Sequence, residues 1–294
     1  MFSVVKNITM NAGTYLRQVI PTLQSDSPEL DAQILLAHVI GLPRPSLLAR
    51  LDAPLTQSQI DSADRAFSRL KAGEPLPYIL GHWEFYGLDF TVTPDVLIPR
   101  PETELLVEKA IKWLSAHPSK RSVADIGTGP GIIAVTITRN ISDANVLATD
   151  ISPNALKVAK ANAEKFHVHH RIQFTECDLL PPQSQIVNHK SKIDLICANL
   201  PYIPTQTLSG LPIFGREPTL ALDGGEDGLD LYRRLLDIAP AWLAPRSMIL
   251  LEIEATQGVA ARQLAAEKFS NASISLHQDL AGHDRLLEIS FHEN

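Results

Sequence analysis

The chain has 294 residues, with 26 Lys and Arg against 33 Asp and Glu, a formal net charge of −7, and 45% hydrophobic residues. That length leads one to expect two domains, and the apolar share is ample for a packed core. The acidic balance argues against broad binding to nucleic acid, and no apolar run approaches the roughly 20 residues that span a bilayer. The N-terminus lacks a basic region followed by a continuous apolar segment, which argues against a secretory signal. Cys177 and Cys197 lie in or beside predicted strands and read as buried small hydrophobes of a reducing compartment. A cytoplasmic enzyme with no membrane partner is the expectation.

The first 75 residues read as helical. Ser27-Pro28 is an N-cap followed by proline at the first helical position. Leu30, Ile34, Ala37 and Val39-Ile40 form an apolar stripe that Gly41 and Pro43 stop. The next helix opens on Thr56-x-x-Gln59, a capping-box pattern, and carries Ile60, Ala63, Phe67 and Leu70 at helical spacing. A small all-α bundle over residues 1–76 follows from these patterns. Residues 77–99 hold Trp83, Phe85, Tyr86, Phe90 and Val92 between Gly81 and Gly87 and suggest a short linking β-hairpin. Its aromatic residues read as core packing. Pro99 to Pro101 then lead into a helix from Thr103 to His117.

From residue 122 onward strands and helices alternate, the pattern of a doubly wound α/β sheet. Strands are expected near 122–126, 145–149, 171–175, 193–198 and 247–253. Ala272–His277 and Leu286–Phe291 read as strands joined by a short loop containing Gly282, which makes the last strand antiparallel. Such a hairpin is foreign to an ordinary dinucleotide fold. Residues 180 to 192, with paired prolines, read as a surface insertion.

Four of these strands close on polar or glycine-rich residues. After Ser122–Ile126 comes Gly127-Thr128-Gly129-Pro130-Gly131, followed by the apolar run from Ile132. Glycines there let a ligand approach the backbone, and the helix start offers N–H donors. Ile132 stands where a G-x-G-x-x-G dinucleotide fingerprint has its third glycine, which weakens a nicotinamide reading. The second strand ends in Asp150, 23 residues beyond Gly127. A carboxylate there can accept hydrogen bonds from both hydroxyls of a ribose; the competing account is a strand-end turn or cap, for which Ser152-Pro153 is better suited. The third leads to Asp178-Leu179, beside an adenine edge or in a surface turn. The fourth, Ile193–Ala198, ends in Asn199-Leu200-Pro201-Tyr202: an amide side chain, a stiff turn and an aromatic ring at the edge where open α/β sheets bind ligands.

Other sites find little support. His167, His169 and His170 lack the cysteine or carboxylate partners of a zinc site. Asp223–Gly228 imitates a calcium loop, but Gly225 occupies a ligand position and Arg234 stands where a bidentate glutamate is required. No G-x-S-x-G elbow is present. No metal is expected.

With these residues in place, the chain resembles the HemK-type peptide chain release factor glutamine methyltransferases along essentially its whole length. The resemblance rests on Asp125 to Gly131, Asp150 and Asn199 to Tyr202. It rests further on Val96-Leu97-Ile98-Pro99-Arg100-Pro101-Glu102-Thr103-Glu104, on Arg216-Glu217-Pro218, and on Ala221–Gly225 with Asp227-Gly228-Leu229. The glycine turn and Asn-x-Pro-Tyr mark a superfamily; the Ile-Pro-Arg-Pro-Glu-Thr-Glu run and the Arg-Glu-Pro segment are specific to the family. The resemblance implies a seven-stranded, Rossmann-like S-adenosylmethionine-dependent methyltransferase sheet over 100–294. It makes residues 1–76 a substrate-docking domain, and it lays the Pro-Arg-Pro-Glu-Thr-Glu run over the cofactor and along the active site. Gly127, Thr128, Gly129, Pro130, Gly131, Asp150, Asp178, Leu179 and Asn199 become cofactor-binding residues. Asn199, Leu200, Pro201 and Tyr202 become substrate-binding, with Asn199, Pro201 and Tyr202 catalytic.

Physically, Arg100 suits a carboxylate partner, and Glu102 or Glu104 a helix N-terminus. In the tetrad, the Asn199 oxygen can accept one N–H of a planar –NH2 group, the carbonyl of residue 200 the other, and Tyr202 can pack on the flat amide. Leu200 replaces the second proline of the family's commoner Asn-Pro-Pro-Tyr. The carbonyl is retained, and Pro201 keeps residue 200 extended. The implied acceptor is the glutamine of the Gly-Gly-Gln loop of release factors, handled by a monomer without nucleic acid. The residues by themselves leave other readings open: a ribosomal-protein glutamine methyltransferase, an exocyclic-amine methyltransferase of DNA or RNA, and an inactive release-factor-binding module.

Overall fold

The computed structural model describes residues 10–182 and 192–292. The chain divides into two compact units, Met1–Gly81 and His82–Asn294. The expected insertion over 180 to 192 falls mostly on 183–191, outside the described residues.

Among the described residues the first unit holds five α-helices, α1 (Ala12–Val19), α2 (Pro28–Ile40), α3 (Arg44–Leu48), α4 (Gln57–Lys71) and α5 (Leu76–Leu80), with a 3-10 turn Ile20–Thr22 after α1. The Asn11 side chain caps α1 by accepting from the Thr14 amide at 2.8 Å. Thr56 and Gln59 close the capping box of α4 from both sides. Ser27 precedes α2 but contributes no side-chain bond; Pro28 begins the helix, and left-handed Gly41 ends it. Leu16, Leu35, Leu36 and Phe67 are buried together in the core of this unit. Tyr15 packs on Phe67 with ring centroids 5.7 Å apart and donates its hydroxyl to Asp64 at 2.6 Å. Helices α3 and α5 escape the periodicity reading because five residues are too few to show a full apolar stripe.

The second unit begins with a hairpin of β1 (His82–Phe85) and β2 (Leu88–Thr91), a shorter span than 77–99 because Pro77 starts a helical turn in α5. Tyr86 and Gly87 join the strands with φ of 53° and 70°, the two-residue turn whose twist matches antiparallel strands. Phe85 and Phe90 are buried, and Phe90 packs on Phe166 at 5.1 Å.

The rest of this unit is a three-layer α/β fold. In chain order it contains α6 (Thr103–Ala116), β3 (Ser122–Ile126), α7 (Ile132–Asn140), β4 (Asn145–Asp150), α8 (Pro153–Lys165) and β5 (Ile172–Glu176). There follow β6 (Ile193–Ala198), α9 (Thr205–Leu208), α10 (Asp230–Ile238), β7 (Leu243–Glu252), α11 (Gly258–Lys268), β8 (Ala272–Gln278) and β9 (Asp284–Phe291). The seven-stranded sheet has the order β5-β4-β3-β6-β7-β9-β8. Strands β3 to β7 run parallel, and β9 lies antiparallel between β7 and β8. The expected antiparallel last strand is therefore present. One face packs on α6, α7 and the hairpin through Leu106, Leu114 and Ile133; the other packs on α10 and α11 through Tyr232, Leu235 and Ala265. Every residue of β6 is buried, as expected for a central parallel strand. Strand order reverses between β4-β3 and β6, so a crevice opens at the carboxyl ends of β3, β4 and β6. No helix among the described residues is long and apolar enough to cross a membrane.

Candidate active site

The glycine turn follows β3 and is tied to the next strand end by backbone and carboxylate. Thr128 N donates to Thr149 O at 2.8 Å, and Gly129 N to Asp150 Oδ2 at 2.9 Å. The other oxygen of Asp150 accepts from Ser152 N at 2.8 Å, while Ser152 Oγ caps α8 through Ala155 N at 3.2 Å. Asp150 thus fastens the turn, and Ser152 is the cap. Burial pushes the Asp150 carboxyl up, against three backbone N–H groups that favour its charge. Behind the turn, fully buried Asp125 accepts from Thr128 Oγ1 at 2.5 Å and Ala134 N at 3.0 Å through one oxygen. Its Oδ1 has no partner among the described residues. Desolvation raises this carboxyl to about 7.

A cavity of about 660 Å³ occupies the crevice, a size suited to a small-molecule ligand. Gly127 to Pro130 and Asp150 wall one side, Asp178 and Leu179 another, and Asn199 to Pro201 a third. Gly131 is not on the lining; a Cβ there would meet Ala159 Cβ at 3.1 Å, so it permits close packing of α7 and α8. Asp178 is paired with Arg234 of α10, and both face the cavity. Leu179 is held at φ 62°, uncommon for a branched residue, with its carbonyl accepting from Thr149 Oγ1 at 2.6 Å.

The tetrad stands between this cavity and a neighbouring one of about 140 Å³, which touches Asn199, Leu200, Pro201 and Tyr202. Asn199 Nδ2 donates to the hydroxyl of Thr103 at 3.0 Å, which commits its nitrogen and leaves Oδ1 to accept. Leu200 is buried; its Cδ2 lies 2.9 Å from where a Cβ on Gly127 would stand, so the leucine fills space that the glycine leaves. The Tyr232 hydroxyl donates to the Glu252 backbone carbonyl and lies 3.3 Å from the Leu200 carbonyl. Tyr202 directs its hydroxyl toward Glu252 at 3.4 Å, and burial pushes that hydroxyl's pKa upward. Its carbonyl accepts from Gln257 Nε2 at 2.9 Å, and a Cβ on Gly228 would lie 2.1 Å from the same oxygen. The Gly228 loop can therefore cross the tetrad only as glycine.

The Pro-Arg-Pro-Glu-Thr-Glu run is braced at three points. Arg100 pairs with buried Glu217 at 2.6 Å, and Glu217 also accepts from Ile98 N at 3.0 Å. Thr103 meets Asn199. Glu104 accepts from Tyr86 N at 2.9 Å and so anchors the hairpin turn, whereas Glu102, just before α6, makes no side-chain cap bond. Sequence reasoning did not single out Glu252, Tyr232 or Gln257. Only Glu252 carried a signal, a lone acid at the end of the apolar run Met248-Ile249-Leu250-Leu251.

Comparison with known proteins agrees with this architecture. A family model described as PrmC N-terminal domain matches residues 14–81, and one described as Ribosomal protein L11 methyltransferase (PrmA) matches residues 106–205. The chain is 44% identical to a release factor glutamine methyltransferase of Moorella thermoacetica, across 88% of this chain and 90% of that one. Identity to the Bacillus subtilis release factor glutamine methyltransferase is 37%, across 90% and 91%. Among solved structures, the catalytic domain of hMettl16 in complex with MAT2A 3'UTR hairpin 6 is similar with a TM-score of 0.54. At 17% identity over 76% of this chain and 82% of that one, this is a likeness of fold alone. Sequence identity of that extent, over both units, places the chain in the release factor glutamine methyltransferase family.

Proposed function

We propose that this protein transfers a methyl group from S-adenosylmethionine to the side-chain amide nitrogen of the glutamine in the Gly-Gly-Gln loop of peptide chain release factors, in the cytoplasm. The observation that carries the reading is the commitment of Asn199 Nδ2 to Thr103, which leaves an acceptor oxygen beside two adjoining cavities. The larger cavity would hold the cofactor and the smaller one the glutamine side chain.

The residues around the larger cavity fit such a cofactor. A Cβ at Gly129 would meet nothing within 4 Å, so the glycine turn leaves open space facing the crevice. Asp150, with two bonds to backbone amides, keeps lone pairs for the hydroxyls of a ribose. Gly127 to Pro130, Asp178 and Leu179 complete the walls. When bound, S-adenosylmethionine supplies an electrophilic methyl group on a positively charged sulfur.

The chain's own task is placement. An amide nitrogen is a poor nucleophile because its lone pair is delocalised into the carbonyl. Asn199 Oδ1 and the Leu200 carbonyl would accept its two N–H bonds and turn the lone pair toward the methyl carbon, a near-attack geometry. Pro201 sets the direction of the Leu200 carbonyl. Tyr202 covers the flat amide and excludes water, which favours a step in which charge is dispersed. The nitrogen's extra proton leaves to water. The first unit, Met1–Gly81, would serve to dock the release factor.

The test is to incubate the protein and labelled S-adenosylmethionine with release factor, ribosomal proteins and oligonucleotides, then map the label by mass spectrometry. Label on the glutamine amide of the release factor is the expected result. Label confined to ribosomal protein or nucleic acid would overturn it.

A further inference from the structure

Tyr202 can cover an acceptor amide only if the backbone that carries it is held. Pro201 restrains the chain before it. The direction of its own carbonyl is set by ψ of Tyr202, one of the two soft dihedrals of the residue. That carbonyl is the group Gln257 takes.

The Gln257 carboxamide is engaged at both ends. Nε2 donates to Tyr202 O at 2.9 Å and to Asp227 O at 3.2 Å, while Oε1 accepts from Glu254 N at 3.1 Å. The side chain is 7% exposed and lines neither cavity. Its oxygen completes a capping box with Glu254 around the 3-10 turn Ala255–Gln257, which leads into α11. A capping box uses only that oxygen, so glutamate serves it as well as glutamine. The nitrogen is not needed for the cap. Both its N–H groups go instead to carbonyls, one in the tetrad and one in the loop over 223–229.

That loop is shaped for the same meeting. A Cβ on Gly228 would stand 2.1 Å from Tyr202 O and 2.3 Å from Gln257 Nε2. A Cβ on Gly224 would stand 2.7 Å from Pro201 O and from Tyr202 Cα. Backbone bonds continue the contact, with Ile203 N donating to Leu222 O at 3.0 Å and Gly224 N to Ile203 O at 2.8 Å. Two glycines bring the loop backbone against the tetrad, and Gln257 is the side chain that ties the two together.

We propose that Gln257 is a positioning residue for methyl transfer: it holds the Tyr202 carbonyl to the Asp227–Gly228 loop and so fixes the backbone from which Tyr202 covers the acceptor amide. The inference rests on the amide-methylation reading above and extends it to a residue outside both cavities. Tyr202 is also absent from the lining of the larger cavity, so the effect belongs to the acceptor side and not to the cofactor.

The test separates the clasp from the cap. Gln257→Glu keeps the capping oxygen and removes the two donors; Gln257→Met removes both without adding charge; Glu254→Ala removes the other half of the cap and leaves the clasp. With full-length release factor as acceptor, both Gln257 variants should lower kcat by about tenfold or more while KM for S-adenosylmethionine stays within about threefold. Glu254→Ala should lose thermal stability and keep wild-type kcat. A second readout needs no turnover: the fluorine resonance of Tyr202 in fluorotyrosine-labelled protein, assigned by its loss in Tyr202→Phe. It should be displaced in both Gln257 variants and unmoved in Glu254→Ala. Wild-type kcat in either Gln257 variant would overturn the inference, as would an unmoved Tyr202 resonance there or an equal loss of kcat in Glu254→Ala. A wild-type protein that fails to label release factor would instead sink the proposed function, and the fluorine comparison would still decide whether Gln257 places Tyr202.

Discussion

Arg100 and Glu217 lie 117 residues apart in the chain and form an ion pair at 2.6 Å on the rim of the larger cavity. The same carboxylate accepts from Ile98 N, so one side chain braces both the backbone and the guanidinium of the segment before α6. Glu217 is nearly buried and Arg100 is partly exposed. Glu217→Ala should therefore cost about 2 kcal/mol, because it strands two donors. Arg100→Ala should cost about 3 kcal/mol, since it leaves the nearly buried Glu217 carboxylate without its counter-charge. Thermal melts would show the asymmetry, and both variants should raise KM for the cofactor.

A second pairing joins the tetrad to the glycine turn. Leu200→Ala empties the space beside Gly127 and should lose about 2 to 3 kcal/mol, while kcat falls by less than about threefold because the carbonyl remains. Gly127→Ala should lose at least about 2 kcal/mol: its φ of 69° disfavours any side chain, and the new Cβ would press on Leu200. The double variant should be more stable than the sum of the singles by about 1 kcal/mol, since the clash disappears and the backbone strain does not. Strict additivity in denaturant unfolding would place the cost of Gly127→Ala in the backbone alone.

Asn199→Ala should abolish methyl transfer and leave cofactor affinity within about tenfold, a limit of roughly 1.4 kcal/mol. Calorimetric titration with the cofactor, beside a single-turnover assay, separates the two effects. Full turnover in this variant would remove Asn199 from the reaction.

Asp125 predicts a pH dependence of stability. Its carboxyl lies near 7 in the fold and near the ordinary value of about 4 in the unfolded chain. Below about 4 both states hold the proton and stability is full. As pH rises toward 7 the unfolded chain ionises while the fold resists, so stability falls. Asp125→Asn has no such group. The melting temperature of the variant relative to wild type should rise by about 5 °C or more between about pH 4 and 7, then level off. Parallel curves would show that Asp125 titrates ordinarily.

Much of the second unit could be read without coordinates. The runs Ser122–Ile126, Asn145–Thr149 and Ile193–Ala198 became β3, β4 and β6, and the last two runs became β8 and β9. Strands buried on both faces are mostly apolar, Asp125 and Asp194 apart, and that is a local property of the chain. The capping box at Thr56 was legible for the same reason: its two partners are three residues apart. Short helices with proline near the start, such as Leu76–Leu80, were not, because one turn carries no period. Nor was the role of Glu104, which looks like a helix-start acid and instead holds the amide of Tyr86 across 18 residues.

The same division runs through the site. Asn199, Asp150 and the glycine turn follow strand ends, and parallel strands carry their ends to one edge, so residue type and order were enough to gather them at one crevice. The partners of those residues were beyond such reading. Thr103 meets Asn199 from 96 residues away, Glu217 meets Arg100 from 117, and Tyr232 reaches Leu200 from 32. Local pattern records which face a side chain occupies. Which donor meets which acceptor across a packed interior depends on how separate layers come to rest on one another, and only the folded chain settles that.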